Sequence, residues 1–238
     1  MKNILITGGS RGIGADMVKL FSEKGHSVAF TYKNSEEKAL CIANETNSLA
    51  ICADNANEKE VLSAIEKANA FYGDVDVLIN NAGISSFSLF TDITSDEWRH
   101  IFDVNVNGAF YFTKAVLPQM IQKKHGRIIN ISSMWGISGS SCEVHYSATK
   151  AALIGMTKAL AKEVGLSGIT VNCIAPGVVS TDMNSSLSEE DINSLADDTP
   201  LGRIGAPRDI SNAAYFLASN EAAFITGQVI SVDGGFIV

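Results

Sequence analysis

The chain has 238 residues, of which 46% are apolar and 18% charged, with a formal net charge of −8. That balance suits one large compact domain and excludes a disordered chain. The acidic excess, with no basic stripe to neutralise phosphates, excludes a nucleic-acid surface.

Short apolar runs alternate with helical patterns almost to the C-terminus. A first strand at 4–7 leads into a helix at 12–24, where Ile13, Met17, Leu20, Phe21 and Lys24 recur at helical spacing and Gly25 supplies the stop. Strands at 28–32, 49–53 and 75–80 follow, separated by helices at 35–47 and 57–72. A long helical pattern at 95–124 precedes a strand at 127–132. A helix at 145–166 and a strand at 170–175 come next, then a helix at 207–219 and a last strand at 228–232. Most of the strands are nearly continuous apolar runs, as expected of strands buried on both faces of a parallel sheet. The alternation predicts an α/β chain with a Rossmann-type doubly wound parallel sheet, helices on both faces, in a single domain over 1–238. The one long irregular stretch, 176–206, reads as a lid-like insertion with a short helix near 189–196.

Cys41, Cys52, Cys142 and Cys173 lack C-x-x-C spacing, so neither a metal site nor a disulfide framework is expected. No apolar run reaches the ~18 residues of a membrane span. Met1-Lys2-Asn3 runs straight into the first strand, leaving no room for a signal peptide, and a cytoplasmic location is expected.

The first strand opens directly into Thr7-Gly8-Gly9-Ser10-Arg11-Gly12-Ile13-Gly14. Gly8, Gly12 and Gly14 permit a tight turn, close backbone approach to a ligand and close packing of helix on strand. Free N–H groups at the following helix start favour a pyrophosphate. A carboxylate at the end of the second strand would select NAD; here that place holds Tyr32-Lys33-Asn34. Together with Arg11, Lys33 points to NADP(H).

Tyr146 and Lys150 stand one helical turn apart in His145-Tyr146-Ser147-Ala148-Thr149-Lys150. Side chains at i and i+4 share a helix face. At ~5 Å and an effective dielectric of ~20, a lysine cation favours a phenolate by roughly 3 kcal/mol, about two pK units. The spacing therefore predicts a tyrosine acidified by its neighbour and suited to general acid–base work.

With these motifs the chain resembles the short-chain dehydrogenase/reductase family along essentially its whole length. The resemblance rests on Thr7 to Gly14, Asn80-Asn81-Ala82-Gly83, Asp103-Val104-Asn105-Val106, Ser132-Ser133, Tyr146 with Lys150, Pro176-Gly177 and Asp233-Gly234-Gly235. It implies a seven-stranded sheet, a homotetramer, and a catalytic tetrad of Asn105, Ser133, Tyr146 and Lys150. Ser133 and Tyr146 would bind the substrate carbonyl, and Tyr146 would donate the proton. Lys150 would bind the nicotinamide ribose, and Asn105 would hold a relay water. It also implies cofactor contacts from Gly8, Gly9, Ser10, Arg11, Gly12, Ile13 and Gly14, and from Asp54, Asn81, Gly83, Val179 and Thr181.

Ile204-Gly205-Ala206-Pro207, Phe224-Ile225-Thr226-Gly227-Gln228-Val229 and Lys124-His125-Gly126-Arg127-Ile128-Ile129 are similar to 3-oxoacyl-acyl-carrier-protein reductases, enzymes of fatty acid biosynthesis. Such an enzyme would take its acyl thioester from a carrier protein. Departures cluster at the substrate end: Ser85-Ser86-Phe87 after the Asn-Asn-Ala-Gly motif, Ser167, and Glu143 three residues before Tyr146. The insertion adds Glu189, Glu190, Asp191, Asp197 and Asp198, which would repel an acidic carrier protein. The stretch from Ile131 to Gly136, taken with Cys142 to Tyr146, resembles reductases of 5-aminopentanone-modified elongation factor P, where Glu143 would pair with the substrate ammonium. A hydroxysteroid or small-ketone dehydrogenase is a further alternative, with Trp135, Phe87 and Met183 lining an apolar pocket. A non-enzymatic NADP-binding sensor or structural subunit is the fourth.

Overall fold

The computed structural model describes residues 1–184 and 188–237. Its centre is one seven-stranded, all-parallel sheet in the order β3-β2-β1-β4-β5-β6-β7. The strands are β1 (Asn3–Ile6), β2 (Ser27–Tyr32), β3 (Leu49–Cys52), β4 (Val77–Asn80), β5 (Gly126–Ile131), β6 (Ile169–Pro176) and β7 (Val229–Val232). All seven predicted strands form, within two residues of their expected ends. Alternation along each strand sends neighbouring side chains to opposite faces. Ile4 and Ile6 therefore join one core, with α1 (Gly12–Glu23) and α2 (Glu36–Thr46). Leu5 joins the other, beneath α3 (Glu58–Tyr72).

The helical pattern at 95–124 is not one helix. It divides into α4 (Ser95–Phe102), a π-helical turn over Asp103–Asn107, and α5 (Gly108–Lys123). Two contacts explain the break. The Asn105 amide bonds both ways with the Ile84 backbone, at 2.8 and 2.9 Å. A Cβ on Gly108 would meet Asn55 Cβ at 2.8 Å, so the helix is pressed against the loop after β3. Periodicity reports neither contact, because both partners lie far away in sequence.

A short α6 (Trp135–Ser138), absent from the sequence reading, precedes α7 (Val144–Val164). The insertion carries α8 (Glu189–Asp197), close to the expected span and started by a Ser188–Asp191 capping box. It returns to the body through a parallel bridge between Val179 and Gly205, and α9 (Pro207–Ala218) completes the first core. Among the described residues, no helix is long and apolar enough to cross a membrane.

After β3 the chain returns to the opposite side of β1 to lay down β4. The topological switch point therefore lies between β1 and β4, and ligands of open α/β sheets bind at the carboxyl ends of such strands. Thr7 and Asn81 staple this point together. Thr7 Oγ1 accepts from the Asn81 and Ala82 N–H groups, each at 3.0 Å, and Asn81 Nδ2 donates to the Thr7 and Gly8 carbonyls.

Candidate active site

A cleft of about 310 Å³ opens above this switch point. Its floor is the glycine-rich turn, in which Gly8 and Gly12 take the left-handed conformation at φ +69° and +54°. A Cβ on Gly14 would be driven into the Gly8 carbonyl oxygen, and one on Gly9 would meet the Phe30 ring at 2.7 Å. The turn is thus built from backbone alone, as close approach to a phosphate requires. Gly8, Ser10, Arg11, Gly12, Ile13 and Gly14 all line the cleft. Gly9 does not; its N–H donates to the Thr31 carbonyl and its bare Cα makes room for Phe30.

Farther along the wall lie Lys33, Asp54, Asn81, Gly83, Val179 and Thr181. Lys33 and Asp54, read separately in the sequence, form one ion pair at 2.6 Å. Burial alone would raise the Asp54 carboxyl, but the Lys33 ammonium and the Ala56 N–H outweigh it and hold the group below its ordinary range. Lys33 therefore presents a shared charge and Arg11 the less encumbered one. His100, which sequence reasoning missed, also lines this end of the cleft. Its place at i+4 from Asp96 on a surface helix gave no signal.

At the other end stand Ser133, Tyr146 and Lys150. Ser133 follows the end of β5, and its hydroxyl, which accepts the Trp135 N–H at 3.1 Å, stands close enough to the Tyr146 phenol to favour its ionised form. Lys150 is only 4% exposed; its Nζ donates to the Ile131 carbonyl at 2.9 Å and lies 5.6 Å from the Tyr146 ring centroid. The expected acidification of Tyr146 is corrected by this geometry. Burial pushes the phenol up to about 12, with the Ser133 hydroxyl opposing the rise and the Glu143 charge adding to it. Burial also brings Lys150 down to about 8. Both groups have lost their water, and desolvation penalises the charged form of each more than their mutual attraction favours it.

Asn105 stands behind the wall, not on it. Its amide bridges Ile84 on one side and Thr149 Oγ1, at 3.0 Å, on the other. Gly83 separates it from Lys150: a Cβ there would lie 3.2 Å from Lys150 Nζ and 3.3 Å from Asn105 Oδ1. Among the substrate calls, Ser133 and Tyr146 face the cleft, whereas Trp135 and Glu143 do not line it. Trp135 packs edge-on against Phe236, and Glu143 is half-buried at the start of α7, where burial raises its carboxyl despite a bond with Ser140. The Met183 side chain falls outside the described residues.

Parallel α/β sheets take their ligands at this position, and the glycine cradle narrows the class to dinucleotide-dependent oxidoreductases. The chain belongs to the short-chain dehydrogenase/reductase family. The family model described as enoyl-(acyl carrier protein) reductase matches residues 8–237. The 3-oxoacyl-[acyl-carrier-protein] reductase FabG of Chlamydia muridarum is 43% identical over 98% of this chain and 96% of its own length. That of Staphylococcus aureus strain Mu50 is 41% identical over 98% and 97%. A Serratia marcescens short-chain dehydrogenase/reductase mutant superposes with a TM-score of 0.91 at 34% identity, covering 99% of this chain and 97% of that one. A blue fluorescent protein from a metagenomic library, solved in complex with NADPH, superposes at 0.93 with 37% identity over 99% and 98%.

Proposed function

We propose that the protein reduces a ketone to a secondary alcohol with NADPH, and that its substrate is a 3-oxoacyl thioester borne by an acyl-carrier protein. The observation that carries this reading is the placement of the Ser133 and Tyr146 hydroxyls together at the cleft, beside a buried Lys150. Two hydroxyls at one point suit a carbonyl oxygen, which accepts twice. The named reductases that share 41–43% of this sequence act at such a carbonyl, which favours it over the enoyl group in the family model's description.

The cleft fits the cofactor through its backbone cradle and cations. Gly8 to Gly14 would hold the pyrophosphate, Arg11 and Lys33 the 2′-phosphate, and Lys150 the nicotinamide ribose. When bound, NADPH supplies the hydride for the carbonyl carbon. Tyr146 holds its proton at neutral pH and gives it to the oxygen as negative charge develops there. Lys150, still mostly cationic at pH 7, stabilises the phenolate left behind. Asn105 and Lys150 flank Gly83 closely enough for one water to join them as a proton relay. A homotetramer follows the same reading, supported by the exposed small residues Ala151, Gly155 and Ala159 along α7.

If the cations select the cofactor, Arg11→Ala should raise KM for NADPH by about tenfold, the size of one charge-assisted hydrogen bond, and leave KM for NADH nearly unchanged. Lys33→Ala should do less, because Asp54 already occupies its ammonium. Equal effects on both cofactors would count against the assignment.

A second reading is favoured by charge. Glu189, Glu190 and Asp191 stand exposed in the first turn of α8, and Glu143 is felt electrostatically at the phenol. Such acidic charge suits a cationic ketone like the aminopentanone arm of modified elongation factor P. NADPH oxidation measured with acetoacetyl thioesters and with amino-ketones separates the two. Thioesters are expected to be preferred, with Glu143→Gln neutral toward them. Preference for amino-ketones, lost selectively in Glu143→Gln, would replace the first reading with the second.

A further inference from the structure

His145, the residue before Tyr146, is 1% exposed, yet the tetrad does not use it. Its Nε2 lies 2.5 Å from Oγ of Ser86, on the segment that leaves β4. Its Nδ1 is buried with no hydrogen-bond partner among the described residues. A proton on Nδ1 would be a buried donor without an acceptor, so the ring proton belongs on Nε2 and His145 donates to Ser86.

This bond is one of four, making three ties, that fasten the same short segment. Ile84 is held by Asn105 of the π-helical turn, and the Ser88 N–H donates to the Cys142 carbonyl at 2.8 Å. The segment is thus tied first to the turn behind the wall, then to the first turn of α7 and to Cys142 just before it. Gly83 and Ile84, at its root, line the cleft. Phe87, between the last two ties, is 79% exposed, so packing does not hold it in place.

We propose that His145 and Ser86 are a positioning pair for the reduction. Their bond sets where residues 84–88 lie relative to Tyr146, and so sets the outer wall against which the substrate's acyl arm rests. The proposal rests on the carbonyl-reductase reading above for its consequence in catalysis, though not for the pairing itself.

Four single variants and one double variant test it. Glutamine places an amide at the reach of Nε2 and asparagine at the reach of Nδ1. Ser86→Ala and His145→Ala should each raise KM for an acetoacetyl thioester by about fivefold, the worth of one hydrogen bond, with kcat and KM for NADPH little changed. His145→Gln should restore the wild-type value, His145→Asn should not, and the double alanine variant should be no worse than either single one. Hydrogen exchange of the amides at 85–88 should quicken in the variants that raise KM. Multiplying effects in the double variant, or exchange indifferent to Ser86→Ala, would overturn the pairing. If the enzyme turns over no thioester, the functional reading fails; exchange, which needs no substrate, then decides the pair by the same two outcomes.

Discussion

Tyr146→Phe is expected to lower kcat for ketone reduction by about a thousandfold, the usual worth of a positioned proton donor. The substitution removes one oxygen from a side chain that is otherwise packed, so the fold and NADPH binding should survive. A variant within tenfold of wild type in single-turnover reduction would remove Tyr146 from the chemistry. The pH dependence adds a sharper test. A phenol pushed up to about 12 keeps its proton through the working range and contributes no limb near neutrality. Lys150, brought down to about 8, is charged below that pH and loses its charge above it. Reduction needs the charge, so kcat/KM should fall as pH rises through about 8. Arginine stays protonated throughout. Lys150→Arg, whatever its absolute rate, should therefore show no such limb.

Gly14→Ala is the second large effect. The added methyl would be driven into the Gly8 carbonyl and would meet Asn81 Nδ2 at 2.6 Å. Neither obstacle is the free end of a flexible side chain: Asn81 is itself bonded to Thr7 and Gly8. The turn must open, at about 3 kcal/mol for a backbone clash of this kind, and NADPH affinity should fall with it. Gly25→Ala provides the comparison. Nothing lies within 4 Å of a Cβ there, but φ is +80°, so about 1 kcal/mol of stability should be lost with NADPH affinity intact. Thermal melts and NADPH titrations of the two proteins read both quantities. Equal affinity in the two variants would deny the turn its role as the phosphate cradle.

The parts of the site that were legible in sequence are those that local backbone chemistry dictates. Gly8, Gly12 and Gly14 announce a turn that only glycine can make, and its position after a strand announces the ligand class. The i, i+4 spacing of Tyr146 and Lys150 places both in the cleft, as found. Ser133 reaches the same point because β5 ends there. Less was legible at the substrate end: Glu143 and Trp135 were expected at the cleft wall and lie away from it. Their positions depend on how α6 and the following turn fold back, which no periodicity encodes. Thr7 and Thr149 were assigned no role of their own, since a threonine gives no sign of which distant amide it will hold.

Residue order by itself determined the strand and helix succession, the single doubly wound sheet and the glycine cradle, because these follow from side-chain period and allowed φ, ψ. Only the tertiary structure decided that burial raises the Tyr146 phenol instead of Lys150 lowering it. It alone joined Lys33 to Asp54, broke the long helix at Asn105 and brought His145 to Ser86. Each of these outcomes depends on lost water or on a partner remote in the chain, and neither is written in local sequence.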